Sequence, residues 1–155
     1  LEHIKSLVFR SVELKNRLVL TDFEDVKDRK KLNFGHTIGH AIETHYLNSS
    51  TVLLHGEAVA IGMIAEAWIG KETGITSEAC FKRLTKTVLK TYKIPNIGRE
   101  THDALLEIMR NDKKNMGSTI NFTFLKEMGV SVINQTASEI QIREALNFLN
   151  TIATG

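Results

Sequence analysis

Residues 57–71 read Glu57-Ala58-Val59-Ala60-Ile61-Gly62-Met63-Ile64-Ala65-Glu66-Ala67-Trp68-Ile69-Gly70-Lys71. Drawn on a helical wheel, the apolar side chains occupy nearly every side. A helix with that pattern belongs in the centre of a bundle, because a surface helix keeps its apolar residues to one stripe. The segments on either side then have to supply the layers that cover it.

Upstream, residues 33–46 predict a second helix, and Asn48, Ser49, Ser50 and Thr51 read as a turn leading into His55 and Gly56. Further back, Ile4, Leu7, Val8, Val12, Leu14 and Leu18 recur at helical spacing over residues 3–20, with Lys5, Arg10, Glu13 and Lys15 between them, so an amphipathic helix is expected. The charge-rich run over residues 22–31 reads as a solvated loop or a helix entry. Downstream, Gly74 ends the central helix and Ser77 caps a further helix to about Tyr92, stopped before Pro95. Thr101 is expected to cap a short helix to Met109. The texture then changes: Ile120, Phe122 and Phe124 alternate, as do Val130 and Val132, which predicts a two-stranded hairpin. Thr136 with Glu139 three residues on has capping-box spacing and opens a last helix through Ile140, Ile142, Leu146 and Leu149. The fold class expected is mainly α: one helical domain over residues 1–155 with a single β-hairpin near its C-terminal end.

Composition agrees with that reading. With 155 residues, 20 Lys plus Arg against 18 Asp plus Glu, 42% hydrophobic and 25% charged residues, the chain has the proportions of a globular domain. Disordered, collagen-like and disulfide-built classes are excluded, and a chain this long buries a core without a metal or disulfide staple. The net charge of +2 leaves no electrostatic footprint for a nucleic-acid or membrane partner. Small molecules or protein are the expected partners. The single cysteine, Cys80, forms no internal disulfide, which is compatible with a reducing compartment. A helical pattern already under way at Leu1 predicts a piece of something longer.

The chemistry concentrates in residues 29–43, Arg-Lys-Lys-Leu-Asn-Phe-Gly-His-Thr-Ile-Gly-His-Ala-Ile-Glu. If this stretch is helical throughout, Arg29, Asn33, His36, His40 and Glu43 fall within an arc of roughly 80°, opposite Phe34, Ile38, Ala41 and Ile42. A solvated face is the plain alternative, but such faces are usually built from Glu, Lys, Gln and Arg, whereas Asn and His are mediocre helix formers. Gly35 and Gly39 each cost helix stability by about 1 kcal/mol relative to Ala. Glycines beside histidines suggest close approach of a ligand or of another backbone. His36 and His40 at i and i+4, joined by His55 across the turn, suit Zn²⁺, Fe²⁺ or Co²⁺. Spacing alone leaves metal binding open, and leaves His40 as either a third ligand or a residue behind the ligands. There is no metalloprotease His-Glu-x-x-His and no Gly-rich nucleotide loop. His3, His45 and His102 have no partner pattern and read as surface residues.

Leu-Asn-Phe-Gly-His-Thr-Ile-Gly-His-Ala-Ile-Glu over residues 32–43, followed by Leu-His-Gly-Glu-Ala-Val-Ala-Ile-Gly-Met over residues 54–63, resembles the C-terminal domain of 3-dehydroquinate synthase. The resemblance runs essentially the length of the chain. It implies a cytoplasmic, usually homodimeric lyase of the shikimate pathway that converts 3-deoxy-D-arabino-heptulosonate 7-phosphate to 3-dehydroquinate and phosphate, using NAD⁺ and Zn²⁺ or Co²⁺. It further implies a helical C-terminal domain working with an N-terminal α/β domain that holds most of the NAD⁺ site and is absent from this chain.

By the same resemblance, His36 and His55 are metal ligands, with a Glu ligand upstream of Leu1, and His40 is an active-site histidine. Lys15, Arg29 and Asn33 are substrate-binding residues, and Lys113 or Lys114 contacts phosphate. Asp25 stands where the family usually has Glu, one methylene longer. The chain alone is then expected to lack a complete metal and cofactor site. Rival readings are another NAD⁺- and metal-dependent sugar-phosphate cyclase, a metal-dependent alcohol or glycerol dehydrogenase, and a helical interaction domain without activity.

Overall fold

A computed structural model describes residues 2–47, 52–112 and 119–153. The elements run α1 (Glu2–Thr21), a 3-10 helix (Asp28–Asn33), α2 (His36–Tyr46), α3 (His55–Glu72), α4 (Glu78–Leu89), a short 3-10 turn (Arg99–Thr101), α5 (His102–Arg110), β1 (Asn121–Glu127), β2 (Val130–Thr136) and α6 (Glu139–Ala153). The turn expected over residues 48–51 and the pair Lys113 and Lys114 lie outside the described residues.

α3 is the central helix that its composition predicts. Ala58, Ile61, Ile64, Ala65, Ala67 and Ile69 are fully buried, and α2, α4, α6 and β1 all pack against it. α2 and α3 approach so closely that a Cβ on Gly62 would collide with the Gly35 carbonyl and the Gly39 backbone, and one on Gly39 with the backbone of Ala58 and Val59. The glycines of the histidine stretch are therefore explained by another backbone. The remaining core is built from Phe122 and Phe124 of β1, Ile142, Leu146 and Leu149 of α6, and Leu105, Leu106 and Met109 of α5. β1 and β2 pair antiparallel, with Asn121 opposite Thr136 and Phe124 opposite Val132. α1 buries no residue; Leu7, Phe9 and Leu20 of its apolar stripe are exposed.

Several local expectations are corrected. The helix expected from Asn33 is broken. Phe34 is extended and Gly35 takes a left-handed φ of 82°, so α2 begins at His36 and the stretch before it is a 3-10 helix. Arg29 and Asn33 thus reach the site by a turn, not along one helical face. The charged run is no simple solvated loop: Asp22 is buried and accepts the amides of Val26 (3.1 Å), Lys27 (2.7 Å) and Arg29 (3.0 Å). Its desolvation pushes the carboxyl pKa up, but the amides of Lys27, Arg29 and Val26, with the Lys27 charge, outweigh this and hold it below its ordinary value.

Ser77 does cap α4, accepting the Cys80 amide at 3.2 Å, but that helix ends at Leu89. Thr101 caps nothing; its hydroxyl bonds back to the Gly98 carbonyl within the 3-10 turn that leads into α5. The capping pair of α6 is Ser138 with Gln141, each side chain meeting the other's backbone amide. Glu139 is drawn away by Arg110 and Arg143 instead. In β1, Phe122, Thr123 and Phe124 are all buried, because α3 covers one face and the 3-10 helix the other. His102 is 2% exposed, and His45 is half-buried edge-on to Tyr46.

The hairpin also anchors the site. Thr37 Oγ1 donates to the Asn121 carbonyl (2.9 Å), Thr123 Oγ1 to the Lys30 carbonyl (3.0 Å), and Lys30 Nζ to Asn134 Oδ1 (2.9 Å). Both the 3-10 helix and the start of α2 are thereby tied to the sheet.

Candidate metal centre

His36 opens α2, His40 follows one turn later on the same face, and His55 opens α3. Because the two helices run antiparallel in close contact, the three rings converge. Their centroids lie 5.1 Å (His36 to His40), 5.6 Å (His36 to His55) and 5.4 Å (His40 to His55) apart. One nitrogen from each lies within 4.8 Å of the others. Zn–N bonds of 2.0–2.1 Å in a tetrahedron would draw such nitrogens to about 3.3 Å. Small rotations of the rings cover that difference.

The outer nitrogens face acceptors. His55 Nδ1 is 2.9 Å from Glu43 Oε2, His36 Nδ1 is 3.3 Å from the Phe34 carbonyl, and His40 Nδ1 is 3.9 Å from Asp112 Oδ2. A carbonyl or carboxylate oxygen only accepts, so at His55 and His36 the proton sits on Nδ1 and the Nε2 lone pair is left for a cation. Imidazoles whose outer nitrogens meet oxygen acceptors form the donor set of a borderline-soft metal, and the residues fit Zn²⁺ or Co²⁺. His36 and His40 are half-buried and His55 is exposed, so the centre opens on one side, as a site that takes a substrate must.

The same open cavity is lined by Lys15 of α1, Asp25 and Arg29 of the connecting turn, Leu32, Asn33 and the three histidines. The structure thus brings together Lys15, Asp25, Arg29, Asn33, His36, His40 and His55, residues up to 40 positions apart in the chain. Arg29 is oriented by its Nη1, which donates to the Phe23 carbonyl at 2.8 Å. Asp25 holds a left-handed φ of 56°, and its buried Oδ1 has no hydrogen-bond partner among the described residues. A strained backbone carrying an unsatisfied carboxylate oxygen at a cavity wall is a feature of ligand sites. Lys113 and Lys114 fall outside the described residues, although Asp112, just before them, stands beside His40.

Two contributors escaped the reading of the sequence. Asp112 stands beside His40 although no spacing along the chain links the two. Glu66 sits inside an apolar helix and is 0% exposed, yet accepts three backbone amides at the start of α2. The signal for Glu66 is that it is the one carboxylate within residues 58–70, a run otherwise without charge.

The family model described as 3-dehydroquinate synthase C-terminal matches residues 1–115. The 3-dehydroquinate synthase of Parabacteroides distasonis is 39% identical over 147 residues, covering 94% of this chain and 41% of the relative. That of Clostridium botulinum is 38% identical over 141 residues, covering 90% and 39%. The chain therefore spans about two-fifths of the length of these relatives. Among solved structures, 2-deoxy-scyllo-inosose synthase complexed with carbaglucose-6-phosphate, NAD⁺ and Co²⁺ superposes with a TM-score of 0.78 at 20% identity, covering 95% of this chain and 41% of that one. A 2-epi-5-epi-valiolone synthase from Streptomyces hygroscopicus with NAD⁺ and Zn²⁺ bound gives 0.74, also at 20% identity, covering 95% and 40%. These two establish the fold. The family match takes in the whole histidine-lined cavity, from Lys15 to His55, and on that ground the chain belongs to the 3-dehydroquinate synthase C-terminal family.

Proposed function

We propose that this chain is the metal- and substrate-binding part of a 3-dehydroquinate synthase, a lyase that converts 3-deoxy-D-arabino-heptulosonate 7-phosphate to 3-dehydroquinate and phosphate. The observation that carries the reading is the cavity that places Lys15, Arg29 and Asn33 beside three converging histidines. A substrate bearing a carboxylate, a phosphate and several hydroxyls needs cations for the anionic ends and amide or imidazole groups for the hydroxyls. Arg29 offers a planar fork and Lys15 a point charge. Asn33 offers both donor and acceptor.

His36 and His55, each fixed at Nδ1, hold the metal in this proposal. When bound, Zn²⁺ or Co²⁺ supplies Lewis-acid polarisation of a substrate hydroxyl and a template for orienting it. His40, facing Asp112 across 3.9 Å, orients a hydroxyl and relays a proton. Asp25 directs its carboxylate to the substrate side of the cavity. A lysine of the Lys113 and Lys114 pair completes the phosphate contact. NAD⁺ is assigned to the part of the relatives that this chain does not span, so these 155 residues by themselves are expected to show no turnover. A homodimer in the cytoplasm completes the proposal; among the described residues, no helix is long and apolar enough to cross a membrane.

The test is NAD⁺-dependent phosphate release from 3-deoxy-D-arabino-heptulosonate 7-phosphate by the whole protein, with and without chelator. Release should be accompanied by dehydroquinate and abolished by chelator. His36→Ala and His55→Ala should lose both metal and turnover, whereas His40→Ala should retain the metal and lose turnover by about 10²–10⁴-fold. A folded, metal-loaded protein that leaves this substrate untouched would turn the assignment to another sugar-phosphate cyclase. Loss of the metal in His40→Ala would make His40 a ligand.

A further inference from the structure

Glu66 stands on α3 eleven residues after His55, which at 100° per residue puts the two within roughly 20° of each other on the face turned to α2. His55 meets the last turns of α2 through Glu43, and Glu66 meets its beginning. The Glu66 carboxylate accepts from the Gly35 amide through Oε2 at 2.7 Å, and from the Thr37 and Ile38 amides through Oε1 at 3.0 and 3.2 Å. Gly35 and Thr37 are the residues on either side of His36. The residue in N-cap position, Gly35, has no side chain to satisfy those amides, so a carboxylate from another helix takes that role.

Such an arrangement exceeds what helix capping requires. A Ser, Asp or Asn at position 35 would cap α2 locally, but the left-handed φ there and the close approach of Met63 and the Val59 carbonyl leave no room for a side chain. The carboxylate is instead buried completely, where leaving it unbonded would be costly and where each charge-assisted bond is strong and directional. Bonds on both sides of one residue fix the direction of its Cα–Cβ vector. That residue is His36.

We propose that Glu66 is a positioning residue of the metal centre: by clamping the amides that flank His36, it holds that imidazole in ligating register with His55, and the affinity of the centre for its metal depends on it. The proposal rests on the reading of His36 and His55 as metal ligands. It assigns to the central helix a second contribution besides His55, made through backbone instead of through the metal.

The experiment uses the whole protein, stripped of metal, titrated with Co²⁺ and followed by the d–d absorption of the bound ion. Glu66→Gln keeps the shape but places an amide NH₂ where two acceptor oxygens face three N–H groups. The expected result is a 10–100-fold weaker Co²⁺ affinity, the range seen when groups supporting metal ligands are removed, with an altered d–d spectrum. Ile142→Val, in α6, which packs on α3 and α5, serves as a variant that lowers stability while keeping the Glu66 carboxylate and its three bonds; its Co²⁺ affinity and spectrum should match the parent's.

Parental Co²⁺ affinity and spectrum in Glu66→Gln, with only a lower melting temperature, would overturn the proposal and leave Glu66 a support of the fold. Failure of the parent itself to bind Co²⁺ would overturn it together with the metal-binding reading. Should Glu66→Gln not fold, Glu66→Asp, which keeps the charge but withdraws it by one methylene, takes its place: a several-fold loss supports the clamp and an unchanged affinity overturns it.

Discussion

Glu43 Oε2 lies 2.9 Å from His55 Nδ1, so the last turns of α2 orient the first residue of α3. The bond joins the two helices at the mouth of the cavity and settles which nitrogen of His55 points inward. Glu43→Ala should leave the helices intact, since residue 43 is only half-buried, and should weaken Zn²⁺ binding by about 10–100-fold. Competition against a chromophoric chelator reads this directly. Unchanged affinity would mean that packing of the α3 start alone sets the ring.

Gly62 lies where a Cβ would strike the Gly35 carbonyl and the Gly39 backbone. These are backbone atoms, which cannot rotate aside, so Gly62→Ala has to separate α2 from α3. The expected cost is about 1–3 kcal/mol, the range for overpacking a close contact, measured as a lower urea midpoint at unchanged slope. Since the separation displaces His36 and His40 from His55, metal affinity should fall with it. An alanine tolerated on both counts would show that the helices sit further apart than described.

His102 is buried, and its Nε2 has no hydrogen-bond partner among the described residues. Burial, reinforced by the nearby charges of Arg143 and Arg99 and opposed by Asp103 and a backbone bond with Ile97, pushes its pKa below the ordinary 6.5. The unfolded chain then takes up the proton first as pH falls. Stability from this group is complete above pH 6.5 and declines as pH drops below it toward the folded pKa. Denaturation midpoints at pH 7 and pH 5 should differ more for the parent than for His102→Gln. Equal pH slopes in the two proteins would remove His102 as the cause.

Much of this could be read before any coordinates. The all-round apolar pattern of residues 57–71 dictated a buried central helix, because no surface orientation hides every side of it. The alternation around Phe122, Phe124, Val130 and Val132 dictated a hairpin, and His36, His40 and His55 were legible as chemistry through residue type and spacing. Local cues misled where a tertiary partner competed for the same group. Glu139 pairs with Arg110 and Arg143 and leaves the cap of α6 to Ser138 and Gln141. His102 looked like a surface residue because nothing in its neighbours along the chain reports that α5 packs it inward.

Sequence by itself determined the helical class, the identity of the donor groups and the family resemblance, since those depend on composition and on periodicity along one chain. Only the tertiary structure decided that the stretch before His36 is a 3-10 turn, that Gly35, Gly39 and Gly62 serve a backbone contact, and that Glu66 and Glu43 hold the histidine-bearing residues. The reason is physical: a hydrogen bond between residues 31 positions apart satisfies a buried amide as well as a local cap does, and no spacing along the chain announces it.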